Sequence, residues 1–146
     1  DVEACPFALA LKQADAVLCM VDERAEPFTR AWCIFELYLA LRLQKHTELW
    51  AANMSIALLS EIQKRVEVLD IRNCLASDPD DRARIMTAVS GFEEEVNLKV
   101  QRLVQYVHRL HAAIEEQTVE TAELAGERNA PFNLGGSPQE RLTVAV

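Results

Sequence analysis

The residue best suited to chemistry is Glu36, in the segment 29–37 with the sequence Thr-Arg-Ala-Trp-Cys-Ile-Phe-Glu-Leu. On a helix, residues three and four positions apart share a face. The neighbours of Glu36 on that face are Trp32, Cys33, Leu39 and Ala40. A carboxylate among such apolar groups is partly desolvated, which raises its pKa toward the range useful in catalysis. The alternative is that Glu36 reaches solvent at the rim of an otherwise buried helix.

Two further groups of residue types invite a chemical interpretation. Cys33 would need a nearby base to act as a nucleophile, but His46 is thirteen positions along the same predicted helix and cannot reach it. His108, His111 and Glu115 share one face of a later helix, and these residue types bind transition metals. No second cluster completes such a site, so a solvated polar face is the preferred interpretation, and the sequence predicts no metal and no cofactor.

Charge and composition limit the classes of partner. The chain has 146 residues and a formal net charge of −8, with Asp and Glu outnumbering Lys and Arg 23 to 15. This charge repels phosphate backbones and anionic lipid, so we expect neither nucleic acid nor membrane partners. The longest apolar run, 16–21, is too short to span a bilayer, and the four cysteines form no Cys-x-x-Cys pair. A soluble, cytoplasmic chain is expected, and its start at Asp1 within a helical pattern, 2–12, suggests a piece of a longer protein.

The elements that must position Glu36 follow from the segment around it. The run 16–21 is continuously apolar, which is typical of a strand buried on both faces of a parallel sheet. The polar segment 22–27 should be the loop at the carboxyl end of that strand, where open α/β sheets bind ligands. Thr29 is a good N-cap and Phe28 can pack on Cys33 as a hydrophobic staple, so the next helix is predicted over 30–45.

The rest of the chain continues in a helix-rich pattern. A helix is predicted over 54–64 and a β-branched strand over 66–71, and 77–81 is a strong helix start. Apolar residues then recur at helical spacing from Ile85 to Ile114, with one break expected at Ser90-Gly91 and the second helix reaching about Leu124. We predict a domain over 1–125 and a mobile tail over 126–146. None of the four glycines follows a strand into a helix, so no glycine-rich phosphate loop is predicted.

The stretch from about Phe7 to Leu37 resembles the middle of Toll/interleukin-receptor (TIR) domains. It combines an amphipathic helix, the strand Ala-Val-Leu-Cys-Met-Val, an acidic loop and the sequence Phe-Thr-Arg-Ala-Trp-Cys-Ile-Phe-Glu-Leu. The plant type has a Ser-Arg-Trp-Cys-Leu-x-Glu-Leu-like helix here, and Trp32 and Glu36 also match the Trp-x-x-x-Glu pattern of bacterial members. The resemblance implies a flavodoxin-like parallel sheet flanked by helices, here truncated at its N-terminus and extended by a long C-terminal helix.

The resemblance also implies functions. Family members self-associate in signalling, and some cleave NAD at the nicotinamide-ribose bond, with the glutamate at the position of Glu36 as the catalytic residue. Cleavage of that bond passes through an oxocarbenium-like state, which a carboxylate can stabilise. By resemblance, Trp32, Cys33 and Asp22 would contact the substrate NAD. We expect a signalling or interaction domain that self-associates or binds a protein through the domain or the 85–114 helix face; the alternatives are an active NAD hydrolase and a non-catalytic structural α/β scaffold.

Overall fold

The computed structural model describes residues 6–52, 54–126 and 141–144. Its five helices are α1 (Pro6–Gln13), α2 (Ala31–Arg42), α3 (Ile56–Glu67), α4 (Pro79–Val89) and α5 (Glu93–Gly126), and its three strands are β1 (Ala16–Met20), β2 (His46–Trp50) and β3 (Arg141–Val144). Two short 3-10 turns, Glu26–Thr29 and Ile71–Asn73, precede α2 and α4. The mixed α/β character and the long C-terminal helix predicted from the sequence are confirmed.

The sheet has the order β1-β2-β3. Strands β1 and β2 are parallel, with Ala16 opposite His46 and Met20 opposite Trp50, and β3 runs antiparallel to β2. Parallel neighbours need a crossover connection, and α2 provides it. Neither β2 nor β3 was predicted, and the rest of the predicted tail after Gly126 lies outside the described residues.

The described residues cover only one face of the parallel pair. Residues opposite each other in a parallel pair point to the same side of the sheet. Val17 and Cys19 therefore share a face with Thr47 and Leu49. Thr47 and Leu49 are fully buried. On the other face, Leu18 and Met20 are 49% and 60% exposed. The prediction that 16–21 is buried on both faces is therefore wrong, because no described helix covers the second face.

The strand predicted over 66–71 is wrong. Val66 and Glu67 form the last turn of α3, and Ile71 begins a 3-10 turn. Val66 follows Ile62 and Leu59 at helical spacing, and all three are buried where α3 packs against α5. Helical packing therefore overrides the β-branched composition of this short segment.

The start of α2 also differs from its prediction. Thr29 lies in the preceding 3-10 turn, where its hydroxyl donates to the Glu26 carbonyl at 2.8 Å, and Arg30 occupies the N-cap without a side-chain cap. The amide of Ala31 instead donates to the carbonyl of Leu75 at 2.8 Å. A backbone group from a distant segment thus replaces the predicted cap. The helix ends at Arg42 rather than 45, before Gln44 takes a left-handed conformation with φ 53.

The helix predicted over 54–64 is found as α3, shifted to Ile56–Glu67, whereas the predicted start of α4 and the predicted break after it are confirmed. Asp78 caps α4 by accepting from the amide of Asp80 at 2.8 Å, with Pro79 in the first turn. The chain then breaks at Ser90-Gly91, where Gly91 has φ 83, before α5 begins at Glu93. A left-handed φ of this kind favours glycine, which explains the break.

The core lies where α5 packs against α3 and α2. Most of the predicted apolar stripe is buried there: Ile85, Val89, Val96, Val100, Leu103 and Val107. Phe92 and Ile114 are exceptions, at 54% and 49% exposed. Because most of the 85–114 face is interior, little of it remains to bind another protein. Within the described ranges, no helix is both long and apolar enough to cross a membrane.

Candidate functional site

A groove between α2 and β1 contains Glu36. Cys33, Glu36 and Leu37 lie three and four positions apart on α2 and so share the helix face that borders the groove. The groove has a volume of about 150 Å³ and is lined by Val17, Leu18, Cys19, Met20, Pro27, Cys33, Glu36 and Leu37. The sequence therefore places the predicted carboxylate and its neighbouring thiol at one concave surface.

The groove follows the outer edge of β1. Successive residues of a strand point to opposite faces, yet four consecutive residues, 17–20, line the groove. Both faces of a strand can be reached from one groove only where the strand has an open edge. In the part of the sheet that the structure describes, β1 is the outermost strand and its far edge has no partner.

Glu36 is half-buried, and burial raises the pKa of its carboxyl group. Among the described residues it forms no hydrogen bond and no ion pair with any side chain. Burial is thus the cause that the sequence pattern predicts, and it raises the pKa of Glu36 in the predicted direction. A carboxylate without a partner in a groove is suited to accept a hydrogen bond or to bind a cation.

The thiols around Glu36 are held in the neutral form. Burial raises the pKa of Cys19 to about 12, with smaller contributions from Cys33 and Glu36. Burial also raises the pKa of Cys33, and Glu36 adds to this while Arg30 opposes it. Because the thiolate is the reactive form, neither thiol is arranged as a nucleophile.

Trp32 and Asp22 lie outside the groove lining. The indole nitrogen of Trp32 donates to Asp81 at 3.2 Å, which ties α2 to α4, and its ring meets Phe35 edge to face with 6.1 Å between centroids. The carboxylate of Asp22 accepts from the amide of Glu26 at 2.8 Å and so closes the loop after β1. Of the four predicted site residues, the fold brings together Glu36 and Cys33.

Sequence reasoning missed Cys19 and Pro27 as parts of the groove. Both stood in elements already predicted, the strand and the loop at its carboxyl end. The sequence did contain a signal for them, because α2 must pack over this strand. Cys19 on the strand and Pro27 in the loop should then contact the helix face that carries Glu36.

The histidines lie elsewhere. His46 begins β2 and pairs with Glu48 at 3.2 Å. The imidazole of His108 lies 3.1 Å from the Ser60 hydroxyl, and that of His111 lies 3.4 Å from Glu115. In the described ranges, no group of three His, Cys, Asp or Glu residues is arranged to hold a metal ion.

Comparisons with known proteins add no relative to this description. No protein-family model, no curated protein and no solved structure matches the chain. What this chain does must therefore be inferred from the geometry around Glu36 and from the surfaces beside it.

Proposed function

We propose that this chain is a TIR-like domain with a flavodoxin-like fold that acts in intracellular signalling by binding other proteins, including copies of itself. Support comes from the parallel β1-α2-β2 unit, in which the segment 29–37 forms the entry and first turns of the crossover helix. Support also comes from the groove, where Glu36 and Cys33 lie together. Both features agree with the resemblance of 7–37 to the middle of a TIR domain.

One observation carries the interaction proposal: the face of β1 and β2 that no described helix covers, where three large apolar side chains lie beside His46 and Glu48. We call Leu18, Met20 and Trp50 the open face. Leu18 and Met20 are 49% and 60% exposed, and Trp50 lies beside Met20 in the register. Parallel sheets are usually covered on both faces, and exposed apolar patches mark interaction surfaces. A second copy that covers the open face would remove this apolar area from water.

Sedimentation velocity tests this proposal across a wide range of protein concentrations. We expect a dimer that dissociates on dilution, and Met20→Glu should weaken it at least tenfold because a charge would enter the apolar contact. Val68→Glu is the matched control, since Val68 is 81% exposed after α3 and away from the open face. A chain that remains monomeric throughout, or equal weakening by both variants, would contradict the proposal.

NAD cleavage is the second candidate function, and the half-buried, unpartnered carboxylate of Glu36 favours it. The volume of the groove argues against it, because about 150 Å³ is below the roughly 300–1,000 Å³ typical of pockets for drug-sized ligands. The described residues therefore offer room for part of a dinucleotide rather than for all of it. For this reason we favour interaction over catalysis.

Release of nicotinamide from NAD decides between the two candidates. The interaction proposal predicts no release above the buffer blank. Release that Glu36→Ala abolishes, while Glu116→Ala on the exposed side of α5 retains it, would establish the hydrolase instead. A chain with neither turnover nor association would be left as a structural α/β scaffold.

A further inference from the structure

A short loop before α4 is held against the start of α2. The amide of Ala31 donates to the carbonyl of Leu75, and the amide of Leu75 donates to the carbonyl of Thr29, both at 2.8 Å. These two bonds make a parallel bridge between Leu75 and Arg30. We call this backbone contact the joint. It brings Ser77, two residues after Leu75, beside the side chain of Arg30.

The side chain of Ser77 contacts a guanidinium group. Its hydroxyl oxygen accepts from Nη2 of Arg30 at 3.3 Å, and both residues are exposed, which leaves room for a larger group on the hydroxyl. Among the described residues Arg30 pairs with no carboxylate, although the chain carries a net charge of −8. Arginine binds phosphate through two parallel N–H bonds, and a neutral hydroxyl uses little of that capacity. Arg30 is therefore placed to bind a phosphate group attached to Ser77.

Acidic residues follow Ser77 closely, since the sequence of 77–81 is Ser-Asp-Pro-Asp-Asp. A protein kinase with a basic substrate groove is attracted to such a segment, and one with an acidic groove is repelled. Asp78 and Asp81 already accept hydrogen bonds within the fold. In the described part of the chain, the side chain of Asp80 forms no such bond, and Asp80 is exposed. Asp80, three residues after Ser77, is therefore the carboxylate available to such a kinase.

We propose that Ser77 is a phosphorylation site for a protein kinase that recognises an acidic residue three positions after the serine, and that the phosphate binds Arg30. The kinase transfers the γ-phosphoryl group of ATP to the Ser77 hydroxyl oxygen. The new O–P bond replaces the bond to ADP, and the hydroxyl proton passes to a base of the kinase. The charge of Arg30 offsets the repulsion between the phosphate and the nearby carboxylates.

The phosphate adds a charge-assisted contact to the two backbone bonds of the joint. Phosphorylation thus fixes the start of α2, the helix that carries Glu36, more firmly to the loop before α4. The modification goes beyond the proposed function, because it does not require association through the open face.

Treatment with a kinase tests the modification. The folded chain is incubated with ATP and a recombinant serine kinase that selects an acidic residue three positions after the serine, and modified peptides are mapped by mass spectrometry. We expect phosphate at Ser77, and Asp80→Asn should lower the rate about tenfold because it removes the carboxylate that the kinase binds. Glu116→Gln removes one negative charge from α5 and should leave the rate unchanged. Absence of phosphate at Ser77, or an equal rate in the Asp80→Asn chain, would overturn the proposal.

Hydrogen exchange measured by NMR tests the contact with Arg30. In a chain synthesised with phosphoserine at position 77, the amides of Ala31 and Leu75 should exchange about fivefold more slowly than in the unmodified chain. Arg30→Gln should remove this slowing. Phosphoserine at position 90 is the matched control: Ser90 is exposed and precedes acidic residues, but among the described residues its hydroxyl accepts no hydrogen bond from an arginine. Exchange that phosphate at position 77 leaves unchanged, or slowing that survives Arg30→Gln, would overturn the proposal.

Discussion

Glu36 holds a carboxylate that the described part of the fold leaves without a partner. Evolution usually pairs a half-buried charge, because an unpaired one costs stability. The energetic effect of Glu36 therefore depends on its protonation state, and so does its ability to bind a cation. Both consequences can be measured by removing the charge while keeping the shape of the side chain.

We expect Glu36→Gln to stabilise the chain at pH 7 and to have little effect near pH 4. The pKa of Glu36 is raised above its ordinary value of 4.5, so the folded state favours the protonated form. Protonated Glu36 therefore makes its full contribution to the free energy of unfolding below about pH 4.5. That contribution is lost as the pH rises through the raised pKa of Glu36. The variant, which stays neutral, should melt about 2 °C above the unmodified chain at pH 7.

Thermal unfolding followed by circular dichroism at the two pH values measures this difference. Glu116→Gln, exposed on α5, controls for the loss of a negative charge from an acidic chain. A lower melting temperature for Glu36→Gln at pH 7 would mean that the ionised carboxylate is stabilised by a group outside the described residues.

Cys19 and Cys74 should resist alkylation in the folded chain. Burial raises their pKa values to about 12 and about 11, so that at pH 8 roughly one Cys19 thiol in ten thousand is ionised. A short pulse of iodoacetamide followed by peptide mass mapping should find both unmodified, while the chain in urea reacts at both. Modification of Cys19 at the rate seen in urea would show that the groove opens readily.

Helices α2 and α4 show which features of an element can be derived from its own residues. The capping by Asp78 and the break at Gly91 depend on local residues, and both were predicted. Strand β2 was missed because its alternation is visible only when Thr47 and Leu49 face a core built by other segments. Similarly, Glu36 and Cys33 follow from helical spacing, whereas the position of Trp32 is set by Asp81, which is 49 residues away.

One buried side chain joins α5 to the Ile71–Asn73 turn, in addition to the exposed ion pair between Arg72 and Glu94. Asn97 is 4% exposed, and its amide oxygen accepts from the backbone amide of Ile71 at 2.9 Å. Asn97→Ala would leave that amide buried without an acceptor, so we expect a loss of about 1–3 kcal/mol in the free energy of unfolding. Urea denaturation measures it, with the exposed Arg102→Ala as the control on the same helix. A loss no larger than that of the control would show that water replaces the side chain.

At the scale of the whole molecule, helix and sheet differ greatly in length. Helix α5 has 34 residues and therefore spans about 51 Å, whereas each strand of the parallel pair has five residues and spans about 17 Å. Core packing along α5 continues to Leu110, and Ile114 and Val119 beyond it are exposed. Between Leu110 and Val119 the helix thus buries little apolar surface.

Hydrogen exchange should therefore divide α5 in two. Amides from Val96 to Leu110 are expected to exchange at least tenfold more slowly than those after Leu110, because local opening is easiest where few apolar contacts hold the backbone. Mass spectrometry of the exchanging chain at low concentration measures the difference. Uniform protection along α5 would indicate that another surface covers the helix after Leu110.

The bond from the Ala31 amide to the Leu75 carbonyl has a consequence for the order of folding. The amide of Ala31, five residues before Glu36 in the first turn of α2, takes its acceptor from a segment 44 residues later in the chain. During synthesis, β1 and all of α2 are made before that acceptor exists. The first turn of α2 is therefore fixed late, when the loop before α4 packs against it. A nascent chain that ends before Leu75 carries Glu36 on a helix whose first turn is still frayed.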